Sequence, residues 1–328
     1  LYYFVLPDGH WRMALEIEAD RMSSCELSLP AFETERRVAL EERMMLDDDP
    51  ETLVYEAADS IAFGDHPYGR PVAGTSADIR QCRLSDLRAF YERHYRPDNA
   101  VLSVVGDVDH LEIVETASGL FSGLQTESAP GDAPEPQRAV VPQTRGPRSI
   151  SLACSQSPPR VLIAFPCPQA DHPDAPAVEL LAAHLSSGHS SLLYSELVEG
   201  RRIATEVSAS RLMQVEPGLF YVSASLHDGV SPRTGESGLL EIVGGVCRDG
   251  ISADELTRAK NLTRVDALLS SESCLGAAGV FAFWESLGDW RLGDSYELGL
   301  AETDTGRVRD AARSYLSPES RSVVWLGP

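Results

Sequence analysis

Val101-Leu102-Ser103-Val104-Val105-Gly106 and Ser322-Val323-Val324-Trp325-Leu326-Gly327 close the two halves of this 328-residue chain in the same way. Each run reads as a strand. Each follows a helical pattern and a proline–acid pair: 86–95 leads to Pro97-Asp98, and 309–315 leads to Pro318-Glu319. This weak internal repeat implies two copies of one α/β unit, the first without its opening elements.

Length agrees, because 328 residues with 43% hydrophobic content exceed one ordinary core and point to two domains. The stretch 125–147 is rich in Pro, Gly, Ser, Glu and Gln and lacks apolar periodicity. It reads as a linker between a domain at 1–124 and a second at 148–328. In the first, strand patterns fall at 2–6 and 100–106, and helical patterns at 11–22, 31–46, 51–63, 85–95 and 109–121. The second predicts strands at 149–154, 160–165, 203–212, 218–225 and 322–327. Its helices are expected at 177–185, from Ser190, and at 235–247, 253–269, 274–287 and 309–315. Asp49-Pro50-Glu51 is a helix start, with an Asp cap, Pro at the first helical position and an acid in the first turn. Asp47-Asp48-Asp49 is therefore a cap and turn, not a calcium loop, whose alternating ligands and glycine it lacks.

Charge excludes one class. With 28 Lys and Arg against 50 Asp and Glu, the formal charge is −22, and a nucleic-acid partner would require clustered cations. Lys260 is the only lysine. The six cysteines include no C-x-x-C pair, which argues against a zinc knuckle or redox motif and leaves most of them as small buried residues. No run of about 18 apolar residues is present, so no membrane span is expected. The compartment stays open between cytoplasm and periplasm, since a signal peptide would precede Leu1.

Glu35 and Glu42, in Glu35-Arg36-Arg37-Val38-Ala39-Leu40-Glu41-Glu42, stand two helical turns apart and project from one face. A metal or a water is one reading of that spacing, and a solvated charged helix is the other. His66 and His172 each precede proline in loops and read as turn and cap residues. Gly188-His189-Ser190-Ser191 lacks both the Walker lysine and the G-x-S-x-G elbow, so Ser190 reads as a helix cap. Arg201 and Arg202 read as surface turn residues.

Four blocks in order change the weight on the two glutamates. Glu35 to Glu42, Asp48-Asp49-Pro50, Phe63-Gly64-Asp65-His66-Pro67-Tyr68-Gly69-Arg70-Pro71 with Gly74, and Tyr95-Arg96-Pro97-Asp98-Asn99 with the strand to Gly106-Asp107 resemble the pitrilysin/insulinase family of zinc metallopeptidases. The resemblance continues through His172-Pro173-Asp174, Gly188 to Tyr194 and Pro217-Gly218-Leu219-Phe220. It implies an α+β fold of two homologous domains, each an antiparallel sheet packed against helices as in mitochondrial processing peptidase, with the first incomplete. It also implies zinc as cofactor, with Glu42 as the third ligand and Glu35 as a supporting carboxylate.

The family's H-x-x-E-H motif, which carries two histidine ligands and the base glutamate, does not occur among the eight histidines. By family spacing it should lie before Leu1, so the chain is expected to be truncated at its N-terminus and inactive alone. In the family's substrate-clamping motif an Arg and a Tyr stand where Leu197 to Val207 here carry Val198 and Thr205. Keeping Glu35 and Glu42 while lacking that pair resembles the zinc-bearing subunit of a two-chain member. The implied partners are a peptide substrate and an Arg/Tyr-bearing paralogous subunit, or a second copy of the chain. The alternative is a non-catalytic scaffold or assembly member, and a peptide-binding module without chemistry is a third class.

Overall fold

A computed structural model describes residues 1–124, 146–154 and 157–328. Of the expected linker 125–147, all but Gly146 and Pro147 lie outside the described residues. By its contacts the chain divides into two compact units, neither continuous in sequence. One holds Leu1–Arg43, the stretch from Ala73, and Leu268–Trp290; the other holds Met44–Val72, the stretch to Ala267, and Arg291–Pro328.

The first unit carries α1 (Trp11–Ser23), most of α2 (Leu29–Asp48), α4 (Ser76–Gln81), α5 (Leu84–His94), α6 (His110–Phe121) and α10 (Cys274–Ser286). Leu15 and Ala19 of α1 are buried, as is Ile113 of α6, on which α1 packs. An Arg12–Glu112 ion pair reinforces this contact, and the Tyr91 hydroxyl donates to the Arg21 carbonyl at 2.6 Å. The strands expected at 2–6 and 100–106 are not paired strands: both segments lie outside any ladder among the described residues, and Val101, Leu102 and Val104 are exposed. β-Propensity describes fitness for a pleated surface, but a strand exists only through its neighbour. The repeat therefore holds only in part. Both copies run helix, then a 3₁₀ turn (Pro97–Asn99 and Pro318–Ser320), but only the second ends in a paired strand.

The second unit is built on five strands: β1 (Arg148–Ala153), β2 (Arg160–Cys167), β3 (Ala204–Arg211), β4 (Gly218–Leu226) and β5 (Ser322–Gly327). Their order is β1-β5-β2-β4-β3. All pairs are antiparallel except β1 with β5, whose parallel pairing brings the first and last strands side by side. Such a pair cannot be joined by a hairpin, and β2, β3 and β4 lie between the two in sequence.

Both faces of this sheet are covered, which explains why its central strands read as nearly continuous apolar runs. Val161, Ile163 and Phe165 of β2 enter the core under α7 (Ala175–Ser186), α8 (Pro232–Asp249) and α12 (Thr305–Tyr315), while Leu162 and Ala164 face the other way. That opposite face is covered by α3 (Pro50–Phe63), which buries Val54, Ala58, Ala62 and Phe63 against Leu162, Leu219, Val324 and Leu326. The i, i+4, i+8 spacing of the first three is a helical stripe. Fully burying a side chain of Val or Phe size contributes about 1.5–3 kcal/mol. The Asp49 cap is formed: its Oδ2 accepts from the Thr52 N–H at 2.8 Å and the Thr52 hydroxyl at 2.6 Å, with Pro50 opening α3. The remaining helices are α9 (Ala253–Ser270) and α11 (Leu292–Glu302). Lys260 donates to the Ala301 carbonyl at 2.6 Å, so the sole lysine serves the C-terminal end of α11. Among the described residues no single helix is long and apolar enough to cross a membrane.

Two glycines of α8 make opposite demands. A Cβ on Gly235 would stand 2.9 Å from both Leu226 methyls and from Val161 Cγ1, whereas one on Gly245 meets nothing within 4 Å. Gly245→Ala is expected to stabilise the protein by about 1 kcal/mol through helix propensity. Gly235→Ala is expected to destabilise it by about 1–3 kcal/mol, because the helix must lift from the sheet. Paired urea melts measure both, and a stabilised Gly235→Ala would refute the close approach.

Candidate functional site

Glu35 and Glu42 both lie on α2 and both are exposed, about 10 Å apart along the axis by helical rise. The arginines between them turn toward the preceding turn of the helix. Arg36 pairs with Glu33 at 2.6 Å, and Arg37 Nε donates to the Glu33 carbonyl at 3.3 Å. Among the described residues, no three His, Cys, Asp or Glu side chains converge where a metal could be held. The residues present therefore do not fit a zinc centre, since tetrahedral zinc takes three or four protein ligands and Glu42 offers one.

Val198 and Thr205, which the sequence resemblance set at the clamping positions, have structural roles. Val198 is half-buried in the π-helical turn Tyr194–Gly200. Thr205 is the extra residue of a β-bulge, because the β3–β4 register passes from Ala204↔Leu226 to Glu206↔Ser225. Its hydroxyl donates to the Ser225 carbonyl at 3.3 Å. Arg201 and Arg202 occupy the intervening turn: Arg201 bonds Glu241 at 2.7 Å, and Arg202 adopts a left-handed φ of 53°. The helical turn expected from Ser190 begins one residue later, with the Ser191 carbonyl accepting from the Ser195 N–H at 3.0 Å.

Both His-Pro sites cap their turns by the same device. His66 Nδ1 accepts the Tyr68 N–H at 3.1 Å, and His172 Nδ1 accepts the Asp174 N–H at 3.1 Å. For His66 this fixes the proton on Nε2, which donates to Glu216 Oε2 at 2.8 Å. The ring, buried and stacked on Phe63, thereby ties its own turn to the loop before β4.

Two polar clusters were not legible in the sequence. Asp59 on α3 accepts from the Tyr221 hydroxyl of β4 at 2.5 Å, and the Tyr221 ring meets that of Tyr55 edge-on. Burial raises its pKa from 3.8 to about 6, against the opposing effect of the Tyr221 hydrogen bond. The other cluster joins β3, α7 and α11. Arg211 Nε pairs with Glu179 at 3.3 Å, and Tyr296 donates to the same carboxylate oxygen at 3.2 Å. Arg211 is buried, and its guanidinium lies over the Tyr296 ring, 5.9 Å from the ring centre. In sequence the only signal for Asp59 is an acid beside Ala58 in an apolar stripe, and Arg211 has none.

The family described as Peptidase M16 inactive domain matches residues 82–263. The zinc protease PqqE of Helicobacter pylori is 24% identical over 328 residues, covering 100% of this chain and 74% of that protein. An uncharacterized zinc protease of Mycobacterium leprae is 29% identical over 272 residues, and the alignment spans 60% of that protein. This chain thus matches about three-fifths of the length of several such relatives. Among solved structures, a protease from Helicobacter pylori superposes with a TM-score of 0.90 at 24% identity, over 98% of this chain and 77% of that one. A peptidase M16 inactive domain from Pseudomonas fluorescens gives 0.81 at 19% identity, over 96% and 74%. At these identities the superpositions establish a shared fold.

The Asp59 carboxyl predicts a pH dependence of stability. Its folded pKa lies above the unfolded value, so its contribution is complete below pH 3.8 and is lost as pH rises through about 6. Asp59→Asn keeps an acceptor for Tyr221 and removes the charge. Thermal melts are expected to show the variant more stable than the wild type at pH 7.5 and no more stable at pH 4; an equal difference at both would show that Asp59 is not the titrating group.

Proposed function

The chain belongs to the M16 peptidase family through its inactive domain, and from that premise we propose that it is a non-hydrolytic part of a zinc metallopeptidase. It adds carboxylates to a metal centre that it does not complete. Glu42 is the zinc ligand and Glu35 the supporting carboxylate, and the histidine ligands come from residues other than those of this chain. The observation that carries this reading is the exposure of both glutamates on α2, two turns apart, with no third ligating group among the described residues. Relatives named zinc proteases support zinc as the metal. The partner in this reading is an H-x-x-E-H-bearing M16 segment, with an Arg/Tyr-bearing subunit or a second copy completing the peptide site.

A second reading, a scaffold member without metal, is favoured by the inactive-domain match. One experiment separates the two. The purified chain alone is expected to hold less than about one zinc per ten chains and to leave unfolded peptides intact, as a single carboxylate cannot retain the metal. In complex with an H-x-x-E-H-bearing M16 segment, zinc content by atomic emission should approach one per complex and fall at least about tenfold in Glu42→Gln, but not in Glu41→Gln. Equal occupancy in both variants removes Glu42 from the ligand set; no zinc in any complex favours the scaffold.

A further inference from the structure

The face of the sheet that α3 covers changes character along its width. Beneath α3 it presents Leu162, Val324 and Leu326, but along β3 and most of β4 it is polar. Val207 and Ala209 of β3 belong to the opposite core, so Glu206, Ser208 and Ser210 share the face of α3. The register sets these three beside Ser225, Ser223 and Tyr221 of β4, in that order. α3 offers a matching flank. Glu51, Tyr55 and Asp59 recur every four residues, with Tyr55 and Asp59 one position round the helix from the buried Val54 and Ala58. Four residues of helix rise about as far as two residues of strand, so helix and strands stay in step along this flank.

The result is a polar furrow, about 12 Å long by helical rise, walled by α3 and floored by β3 and β4. At one end Asp59 accepts from the Tyr221 hydroxyl at 2.5 Å, and its charged neighbour is another acid, Glu56. In the middle, burial raises the Tyr55 pKa, and the hydroxyls of Ser223, Ser210 and Ser208 oppose that shift. At the other end a cleft of about 20 Å³, lined by Glu51, Tyr55, Arg160, Ser223 and Ser225 among others, has room for one small polar group. Ser225 is only 8% exposed there, and its hydroxyl has no hydrogen-bond partner among the described residues. Charge in the furrow is one-sided. Arg160 stands 3.8 Å from Glu51, whereas Glu206 is exposed and forms no ion pair among the described residues.

We propose that this furrow binds a linear ligand with an ammonium group at each end, one against Asp59 and the other against Glu206, its stem lying along Tyr55 and the serine hydroxyls. A cation is the complement that Asp59 lacks, because a carboxyl drawn out of water beside a second acid is neutralised either by a proton or by a positive charge. The hydroxyls of Ser208, Ser210, Ser223 and Ser225 supply acceptors for ammonium N–H groups along the way. An anion would meet Glu206 and Asp59 instead. Two ammonium groups at this separation occur in a free polyamine and in an extended peptide with lysines four residues apart, whose side chains leave one face about 13 Å apart. The site is independent of any metal and of the reading of Glu42.

The test is isothermal titration calorimetry on the full chain at low salt, with spermidine, the peptide Lys-Thr-Thr-Thr-Lys, its Glu-Thr-Thr-Thr-Glu counterpart and butylamine. Spermidine or the lysine peptide is expected to bind at least about tenfold more tightly than butylamine or the acidic peptide, and whichever binds identifies the source. Asp59→Asn and Glu206→Gln should each weaken that binding at least about fivefold, while Glu199→Gln, an exposed acid outside the furrow, leaves it unchanged. Burial holds the Asp59 pKa at about 6 and a bound cation favours its ionised form, so affinity should rise from pH 5 to pH 7.5 and the rise should vanish in Asp59→Asn. Circular dichroism melts check folding, and if Asp59→Asn unfolds, the exposed Glu206→Gln variant carries the test. Binding by neither spermidine nor the lysine peptide overturns the proposal. So does an equal loss in Glu199→Gln, which would mean that the overall negative charge attracts any polycation.

Discussion

Burial of both faces of one sheet is the constraint on which the second unit depends. β2 and β5 sit in the sheet interior, and each sends alternate side chains into two different cores: Val161, Ile163 and Phe165 one way, Leu162 and Ala164 the other. A sheet with this composition is not stable with one face in water, so α3 is as necessary to it as α7, α8 and α12. The tight seat of Gly235 on Leu226 and Val161 shows how little clearance the helical layer has. Asp59 belongs to the same constraint, because α3 can cover the sheet only by taking a carboxyl out of water, and the Tyr221 hydroxyl partly compensates.

The proposed function turns on α2, which precedes the residues matched by the family. In the proposed function α2 supplies the carboxylate, and Glu42 is exposed there, two turns from Glu35. Among the described residues no group of three His, Cys, Asp or Glu could hold a metal. Val198 is packed in a π-helical turn, and Thr205 is spent on a bulge. The loop histidines likewise serve the backbone. His66 and His172 accept N–H groups two residues on, and His66 adds a bond to Glu216.

Local signals in the chain were sufficient for most elements of the second unit. The strand patterns at 149–154, 160–165 and 218–225 and the Asp49-Pro50-Glu51 start appear within a residue or two of their predicted places. The short α4 and the later α11 were missed, since neither shows a strong stripe. The patterns at 2–6 and 100–106 carry the same β-forming residues as β5 yet form no ladder. The difference lies outside those segments, in whether a partner strand lies alongside.

By itself, then, the sequence determined where helices and strands of the second unit begin, which residues cap them, the family, and the two carboxylates on one helical face. Those are short-range properties, set by periods of 3.6 and 2 and by hydrogen bonds spanning two to four residues. Tertiary structure alone decided that α3 covers a sheet formed by residues about a hundred and more positions later, and that β1 pairs with β5. It also decided that Asp59 meets Tyr221, that Arg211 meets Glu179 and Tyr296, and that Arg233 rests on Trp325. Each of these joins residues separated by tens to more than a hundred positions, and no local pattern encodes which distant surface a side chain will be buried against.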